Sequence, residues 1–386
     1  MLDLGRQYRA LHAELMAALE HVLETQQFIL GEQVAAFEKA AQEHLAVGHA
    51  VGCSSGTDAL WLALAGAGIG PGDSVITTPF SFFASVSAIL RAGAIPVLAD
   101  IDPVSFNLSP AAVEEMLDGP RIQSPKIQSG RGRVRAVLPV HLYGGPAEWG
   151  GFARLKKEHG LDLIEDAAQA WGAEWNGVKA GGLGDASAFS FYPTKNLSAA
   201  GEAGMVTTNS DEIAERVRML RQHGMRQRYQ HDEVGWNTRM DGFQGAVLRV
   251  KLKYVDGWNE ARRTAAARYD ALFRGAGLAE AGPYPNRGVV LPRETPGTRH
   301  VWHQYVIRVQ RRDALRAFLE ERRIGSEIFY PVPLHLQTAL EELGYAEGDF
   351  PEAERAAKEV LALPMFAELR EDEQETVVRA IAEFLS

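Results

Sequence analysis

The chain predicts an α/β protein: a mostly parallel sheet flanked by helices in a large domain, followed by a smaller C-terminal α+β domain. Three observations carry this. Apolar strand-like runs alternate with helix-like stretches from Val51 to about Thr208. From Asp211 the chain turns helix-rich, and from about Tyr284 strands such as WHQYVIRVQ mix with helices. Strand, helix, strand in series implies parallel strands with both faces covered.

Taken in order, MLDLGRQYRALHAELMAALE carries charges throughout and reads as a helical segment, without the uninterrupted apolar core of a signal peptide. The strand-like runs are SVITTP from Ser74, IPVLAD from Ile95, VRAVLPV from Val134, LDLIED from Leu161, ASAFSF from Ala186 and GMVTT from Gly204. DALWLALA, FFASVSAILRAG and EWGGFARLKKEHG fill the gaps between them with helical patterns. Arg121 to Arg133, RIQSPKIQSGRGR, is basic and rich in Gly, Pro and Ser, so it reads as an exposed loop. DEIAERVRMLRQHG predicts an amphipathic helix ending at Gly224, and GAVLRVKLKYVDGWNEARRTAAARYDALFRGAG predicts one long helix. The large domain is set at residues 1–255 and the small one at 256–386.

Composition narrows the function. With 386 residues, 46% hydrophobic and 23% charged, the chain has the balance of a soluble globular protein. Its formal net charge of −10 argues against sequence-independent nucleic-acid binding, which needs clustered positive charge. Ala59 to Pro71 is nearly uncharged but too short and glycine-broken to span a bilayer, so no membrane partner is expected. The one cysteine, Cys53, permits no intrachain disulfide and no Cys-based zinc site. It reads as a small buried filler, and its solitude fits a reducing cytoplasm. No metal site is expected.

Three motifs carry chemistry. In SSGTDALWLALA a helix opens at Gly56 and Thr57, where free amides and the helix dipole favour phosphate. A plain helix cap is the simpler reading, and Asp58 would repel phosphate unless it turns away to cap the helix. In LDLIEDAAQA, Glu165 and Asp166 stand at the carboxyl end of a strand, where parallel sheets place functional side chains. A carboxylate there can keep a ring nitrogen protonated, or can simply cap the next helix. In ASAFSFYPTKN, Lys195 follows a buried run, where partial desolvation can free its amine as a nucleophile, although most such lysines are simply solvated. One ligand needs all three: pyridoxal 5′-phosphate has a phosphate, a ring nitrogen and an aldehyde.

The segments GTDALWLALA, PGDSVITTPFSFFAS, VHLYGGPA, IEDAAQAWGA, GDASAFSFYPTKN, WNTRMDGFQGAVLRVKL and YPVPLH, in that order, resemble the DegT-type sugar aminotransferases across nearly the whole chain. The resemblance implies the aspartate-aminotransferase fold (PLP fold type I), pyridoxal 5′-phosphate as cofactor, and a homodimer with shared active sites. Position by position, it implies that Gly56 and Thr57 form the phosphate turn and that Ser190 is a further phosphate ligand. Phe82 matches the aromatic that stacks on the pyridine ring. Asp166 matches the partner of the ring nitrogen, and Gln169 a residue beside the ring. Lys195 matches the Schiff-base lysine. Asn237 and Arg239 match a loop reaching the neighbouring subunit's site, and His335 a segment near the sugar. Each has a plainer reading: Phe82 as core, Gln169 as a solvated helix residue, Ser190 paired to backbone, Asn237 and Arg239 as an ordinary turn, His335 as a satisfied loop histidine. One departure is Ala203, in Gly201-Glu202-Ala203-Gly204, where the family often has glycine; its methyl matters only if the backbone needs positive φ.

The implied reaction moves an amino group from an amino acid, glutamate by analogy, to a nucleotide-linked keto sugar, with wording closer to the 3-keto branch. Lys195 acts as nucleophile, then as general base and acid. Three alternatives stand beside it. A sugar dehydratase on this scaffold characteristically has histidine at the lysine position, so Lys195 argues against it. A cyclitol aminotransferase is harder to separate. A non-catalytic regulator or binding protein is disfavoured by intact Asp166 and Lys195 and by the lack of an appended DNA-binding segment.

Overall fold

The computed structural model describes residues 1–118 and 133–386; of the basic stretch Arg121 to Arg133, only Arg133 lies within them. In chain order the strands of the first half are β1 (His49–Cys53), β2 (Ser74–Thr77), β3 (Ile95–Leu98), β4 (Val134–Val137), β5 (Asp162–Asp166), the short hairpin β6 and β7 (Glu174–Trp175, Val178–Lys179), β8 (Ala186–Ser190) and β9 (Gly204–Thr208). Seven of them form one sheet in the order β1-β9-β8-β5-β4-β2-β3. All six strand-like runs of the sequence are strands of this sheet. The pairings from β3 to β8 are parallel, and β9 runs against both its neighbours, β8 and β1.

This topology places the site. Every strand but β9 runs the same way, so Cys53, Thr77, Asp166 and Ser190 deliver the chain to one rim of the sheet. The central strands are buried on both faces, as Val137, Leu163, Ile164 and Ala188 show, which is why they read as continuous apolar runs rather than alternating ones. The helix Gly56–Gly66 behind β1 is apolar all round, with Ala59 to Leu64 buried, so it lies inside the protein.

A four-stranded sheet follows, built from Ala279–Glu280, Val289–Val290, Tyr305–Val309 and Val360–Leu363. Thr298–Arg299 pairs with β6 and so ties the later half to the hairpin of the first. One hydrophobic cluster, from Val51 to Ile381, joins the two sheets. No helix among the described residues is long and apolar enough to cross a membrane.

Two helix boundaries differ from expectation. The long helix is two, Gly242–Leu252 and Val255–Gly275. The chain tightens between them, with Tyr254 N–H donating to the Lys251 carbonyl at 3.0 Å. Lys251 is thereby buried, its Nζ 3.0 Å from the Ser198 hydroxyl. The helix expected to end at Gly224 ends at Leu220. The segment around Trp236 captures its last carbonyls: Trp236 N–H donates to Leu220 O (2.9 Å) and Thr238 N–H to Arg221 O (3.1 Å). Gly224 then turns the chain at φ +71°, and a Cβ there would meet the Glu233 carbonyl.

Candidate active site

Side chains alternate along a strand, so Glu165 and Asp166 leave β5 on opposite faces. Glu165 points into a nest of donors: Gly181 N–H (2.9 Å), Leu183 N–H (2.9 Å), Gly184 N–H (2.8 Å), His141 Nε2 (3.0 Å) and the Ser187 hydroxyl. His141 Nδ1 accepts from Ala147 N–H, so its proton is on Nε2 and faces the carboxylate. Burial pushes the Glu165 pKa up, but the bonds from His141, Ser187 and Gly181 outweigh it and hold the pKa below the usual value. Glu165 is a structural residue.

Asp166 is as deeply buried but has fewer partners. It accepts from the Ser85 hydroxyl at 2.7 Å and from Ala168 N–H at 3.2 Å. Burial raises its pKa, and the Ser85 bond and the Lys195 charge only partly offset this. Asp166 is therefore short of cationic company.

Lys195 sits on a tight turn beyond β8, where its amide donates to the Tyr192 carbonyl at 2.8 Å. Its side chain is only partly exposed and is crowded by protein atoms. That crowding lowers the ammonium pKa to about 8, against the opposing pull of Asp166. Among the described residues its Nζ has no hydrogen-bond or ion-pair partner. The charge of each group acts on the other's pKa, so the two groups lie near each other at the rim of the sheet.

The predicted phosphate residues also come together. Ser55 caps the helix Gly56–Gly66, its hydroxyl accepting from Asp58 N–H at 3.1 Å and its carbonyl from Ala59 N–H at 2.9 Å. The amides of Gly56 and Thr57, with no acceptor inside the helix, remain open. Gly56 packs on Ser190 so closely that a Cβ would lie 2.5 Å from the Ser190 Cβ. Gly204 of β9 lies beneath, where a Cβ would meet the Ser55 carbonyl at 2.1 Å. Ala203 is fully buried without positive φ, so its extra methyl is accommodated.

Phe82 is not core: it is 59% exposed, with its ring 6.3 Å from that of Tyr330. Gln169 is buried rather than solvated. Its Oε1 accepts from Tyr143 N–H at 2.6 Å, and its Nε2 lies 3.4 Å from the Tyr330 hydroxyl. The Tyr143 hydroxyl in turn donates to the Phe329 carbonyl. Ser85, Tyr143 and Tyr330 thus contact Asp166, Gln169 and Phe82 although sequence reasoning did not single them out; they lie in the quoted segments PFSFFAS, VHLYGGPA and YPVPLH. His303 was also missed. Its Nδ1 is 3.1 Å from Asn196 Oδ1, and burial, then the Lys195 charge, pushes its pKa well below the histidine range.

Asn237 and Arg239 pair with each other, Arg239 Nε donating to Asn237 Oδ1 at 3.0 Å. Their segment runs beside the end of β1, with Cys53 bridging Arg239 and Ser54 N–H donating to the Thr238 carbonyl. Nearby Tyr229, Val234 and Trp236 expose their side chains. Cys53 is fully buried, and burial pushes its thiol pKa up.

His335 is buried. Its side chain has no exposed surface, its Nε2 is 3.0 Å from Glu354 Oε1, and Phe350 packs edge-on against it. Glu354 also accepts from Gly348 and Phe350 N–H. His335 thus pins the YPVPLH segment through Nε2, while its buried Nδ1 has no hydrogen-bond partner among the described residues.

A sequence profile of the DegT/DnrJ/EryC1/StrS aminotransferase family matches residues 9–382. The chain belongs to this family. It is thereby a pyridoxal 5′-phosphate-dependent aminotransferase of fold type I. Among the relatives of this DegT-family chain is a pleiotropic regulatory protein of Geobacillus stearothermophilus, 48% identical over 100% of this chain and 98% of that one. Another is dTDP-3-amino-3,4,6-trideoxy-alpha-D-glucose transaminase of Streptomyces venezuelae, 42% identical over 99% and 95%. The crystal structure of S. venezuelae DesV in complex with a ketimine intermediate superposes with a TM-score of 0.91 at 41% identity, covering 100% of this chain and 97% of that one. The DegT-family cofactor matches what this rim of the sheet offers: open amides at Gly56 and Thr57, a buried Asp166 short of a cation, and a desolvated Lys195 amine.

Proposed function

We propose that this aminotransferase transfers an amino group from glutamate to the 3-keto group of a nucleotide-linked sugar, as part of amino-sugar synthesis. The observation that carries the reading is the proximity of a buried Asp166, short of donors, to a desolvated Lys195 at the same rim of the sheet. The acceptor class rests on relatives whose names specify 3-amino sugars linked to dTDP or UDP. When bound, pyridoxal 5′-phosphate supplies an electron-accepting pyridinium ring that stabilises negative charge at the donor's α-carbon. In this reading Asp166 holds the proton on the ring nitrogen, and Phe82 covers the ring face. Gln169 orients the ring's edge. Gly56, Thr57 and Ser190 hold the phosphate. Lys195 Nζ would hold the cofactor at its aldehyde and, when free as an amine, would take the proton from the donor's α-carbon. The exposed Tyr229, Val234 and Trp236 support a homodimer, in which Asn237 and Arg239 reach the site of the partner subunit.

A non-catalytic regulator would have no use for a desolvated lysine facing a buried aspartate, and this disfavours that second reading. The test is a screen of dTDP- and UDP-linked keto sugars with glutamate, reading 2-oxoglutarate release and product mass. Amination of 3-keto acceptors in preference to 4-keto ones is expected. Turnover confined to 4-keto sugars or cyclitol ketones would overturn the acceptor assignment.

A further inference from the structure

Asp58 poses a problem that the proposed phosphate site does not solve. It stands two residues after Gly56 in the same first helical turn, where a carboxylate repels a bound phosphate. Two things keep it in check. Its Oδ2 accepts from the Ser54 and Ser55 hydroxyls at 2.5 and 2.8 Å, which turns the carboxylate back from the helix start. Its Oδ1 meets Arg91 Nη1 at 2.5 Å. Arg91 ends the helix Ala84–Arg91, which begins two residues after Phe82. Its guanidinium lies over the buried Trp61 at 4.4 Å and within 5.7 Å of Trp236 in the loop that carries Asn237. A planar cation held between two indoles cannot swing freely away from Asp58. Arg91 thus joins three parts of the site: the phosphate turn, the helix behind the ring-stacking aromatic, and the loop after Trp236.

We infer that Arg91 is a positioning residue that neutralises Asp58 and so makes the turn at Gly56 and Thr57 fit for a phosphate. This rests on the phosphate site proposed above. The geometry separates it from a packing role. Loss of packing weakens every ligand of the cleft, whereas an unneutralised Asp58 weakens only those that carry a phosphate.

The experiment titrates the full chain, freed of cofactor, with pyridoxamine 5′-phosphate and with pyridoxamine, and compares the ratio of their dissociation constants. Arg91→Met is expected to cut the preference for the phosphorylated form roughly tenfold, the effect of one charge a few ångströms away at intermediate dielectric. Asp58→Asn combined with Arg91→Met should restore most of that preference, because the double variant has no charge left to neutralise. Arg91→Lys, which keeps the charge without the stacking, should retain most of it. Equal loss for both ligands in Arg91→Met, or a double variant no better than the single one, would overturn the inference. Thr57→Val serves as the control on the site itself. If it leaves the ratio unchanged, the phosphate lies elsewhere and the inference falls with it. If it lowers the ratio while Arg91→Met does not, the inference alone fails.

Discussion

Glu165 and Asp166 are consecutive, both buried, and both at the end of β5, yet their surroundings differ in one respect that separates scaffold from site. Glu165 is saturated by His141, Ser187 and three backbone amides. Asp166 has Ser85 and one distant amide. Burial acts on both, but only in Glu165 do hydrogen bonds outweigh it, so the two pKa values move in opposite directions. A saturated buried carboxylate holds protein parts together; one left short of donors is set to receive a cation from outside. Glu354 with His335 belongs to the first kind, its pKa held down by Gly348, His335 and Phe350 against the upward push of burial.

The sharpest way to break this contrast is to neutralise each carboxylate in turn. Asp166→Asn is expected to lower turnover about 100-fold or more, the scale of losing a fixed electrostatic partner, while the fold and part of the cofactor affinity remain. Near-normal turnover, read from 2-oxoglutarate release, would remove the role given to Asp166. Glu165→Gln is expected to act on stability instead, because its amide N–H groups would face N–H donors. A loss of roughly 2–4 kcal/mol by denaturant unfolding is expected, with cofactor affinity of the folded fraction unchanged.

The lysine gives a smaller and pH-dependent effect. With a pKa of about 8, Lys195 is an ammonium below that pH and a nucleophilic amine above it. Capture of pyridoxal 5′-phosphate by cofactor-free protein should therefore quicken as pH rises through 8, by roughly tenfold between pH 7 and 9. Stopped-flow absorbance measures this, and a rate still climbing at pH 10 would show that Lys195 is not desolvated. The smallest effect on catalysis is expected at His335. His335→Ala should cost about 1–3 kcal/mol of stability by freeing Glu354, and leave the sugar KM within about twofold. A large KM change would return His335 to the substrate site.

Much of this was legible in the sequence. The runs ending in Asp166 and Ser190 are apolar because their strands are buried on both faces, and a charged or nucleophilic residue directly after such a run marks the rim of a parallel sheet. What stayed hidden depends on tertiary partners. Nothing local distinguishes Glu165 from Asp166; the face each takes decides, and only the placement of Gly181 to Ser187 shows which one is satisfied. The pairing of His335 was hidden for the same reason, since its partner Glu354 lies 19 residues on. The early stop of the helix at Leu220 needed the carbonyl capture by Trp236 and Thr238. Ser85 and Tyr143 lie in segments that were legible, but the contacts that single them out, to Asp166 and Gln169, are tertiary; His303 lies where the patterning reports only burial.

The account stands most directly on Lys195 Nζ as the atom that holds the cofactor. Borohydride reduction of the yellow holoprotein, followed by proteolysis and peptide mass spectrometry, tests this. The expected result is a single cofactor-bearing peptide that spans Phe191 to Asn196, with the added mass on Lys195. A label on Lys251, which burial likewise brings to a pKa of about 8, or no covalent label at all, would contradict it.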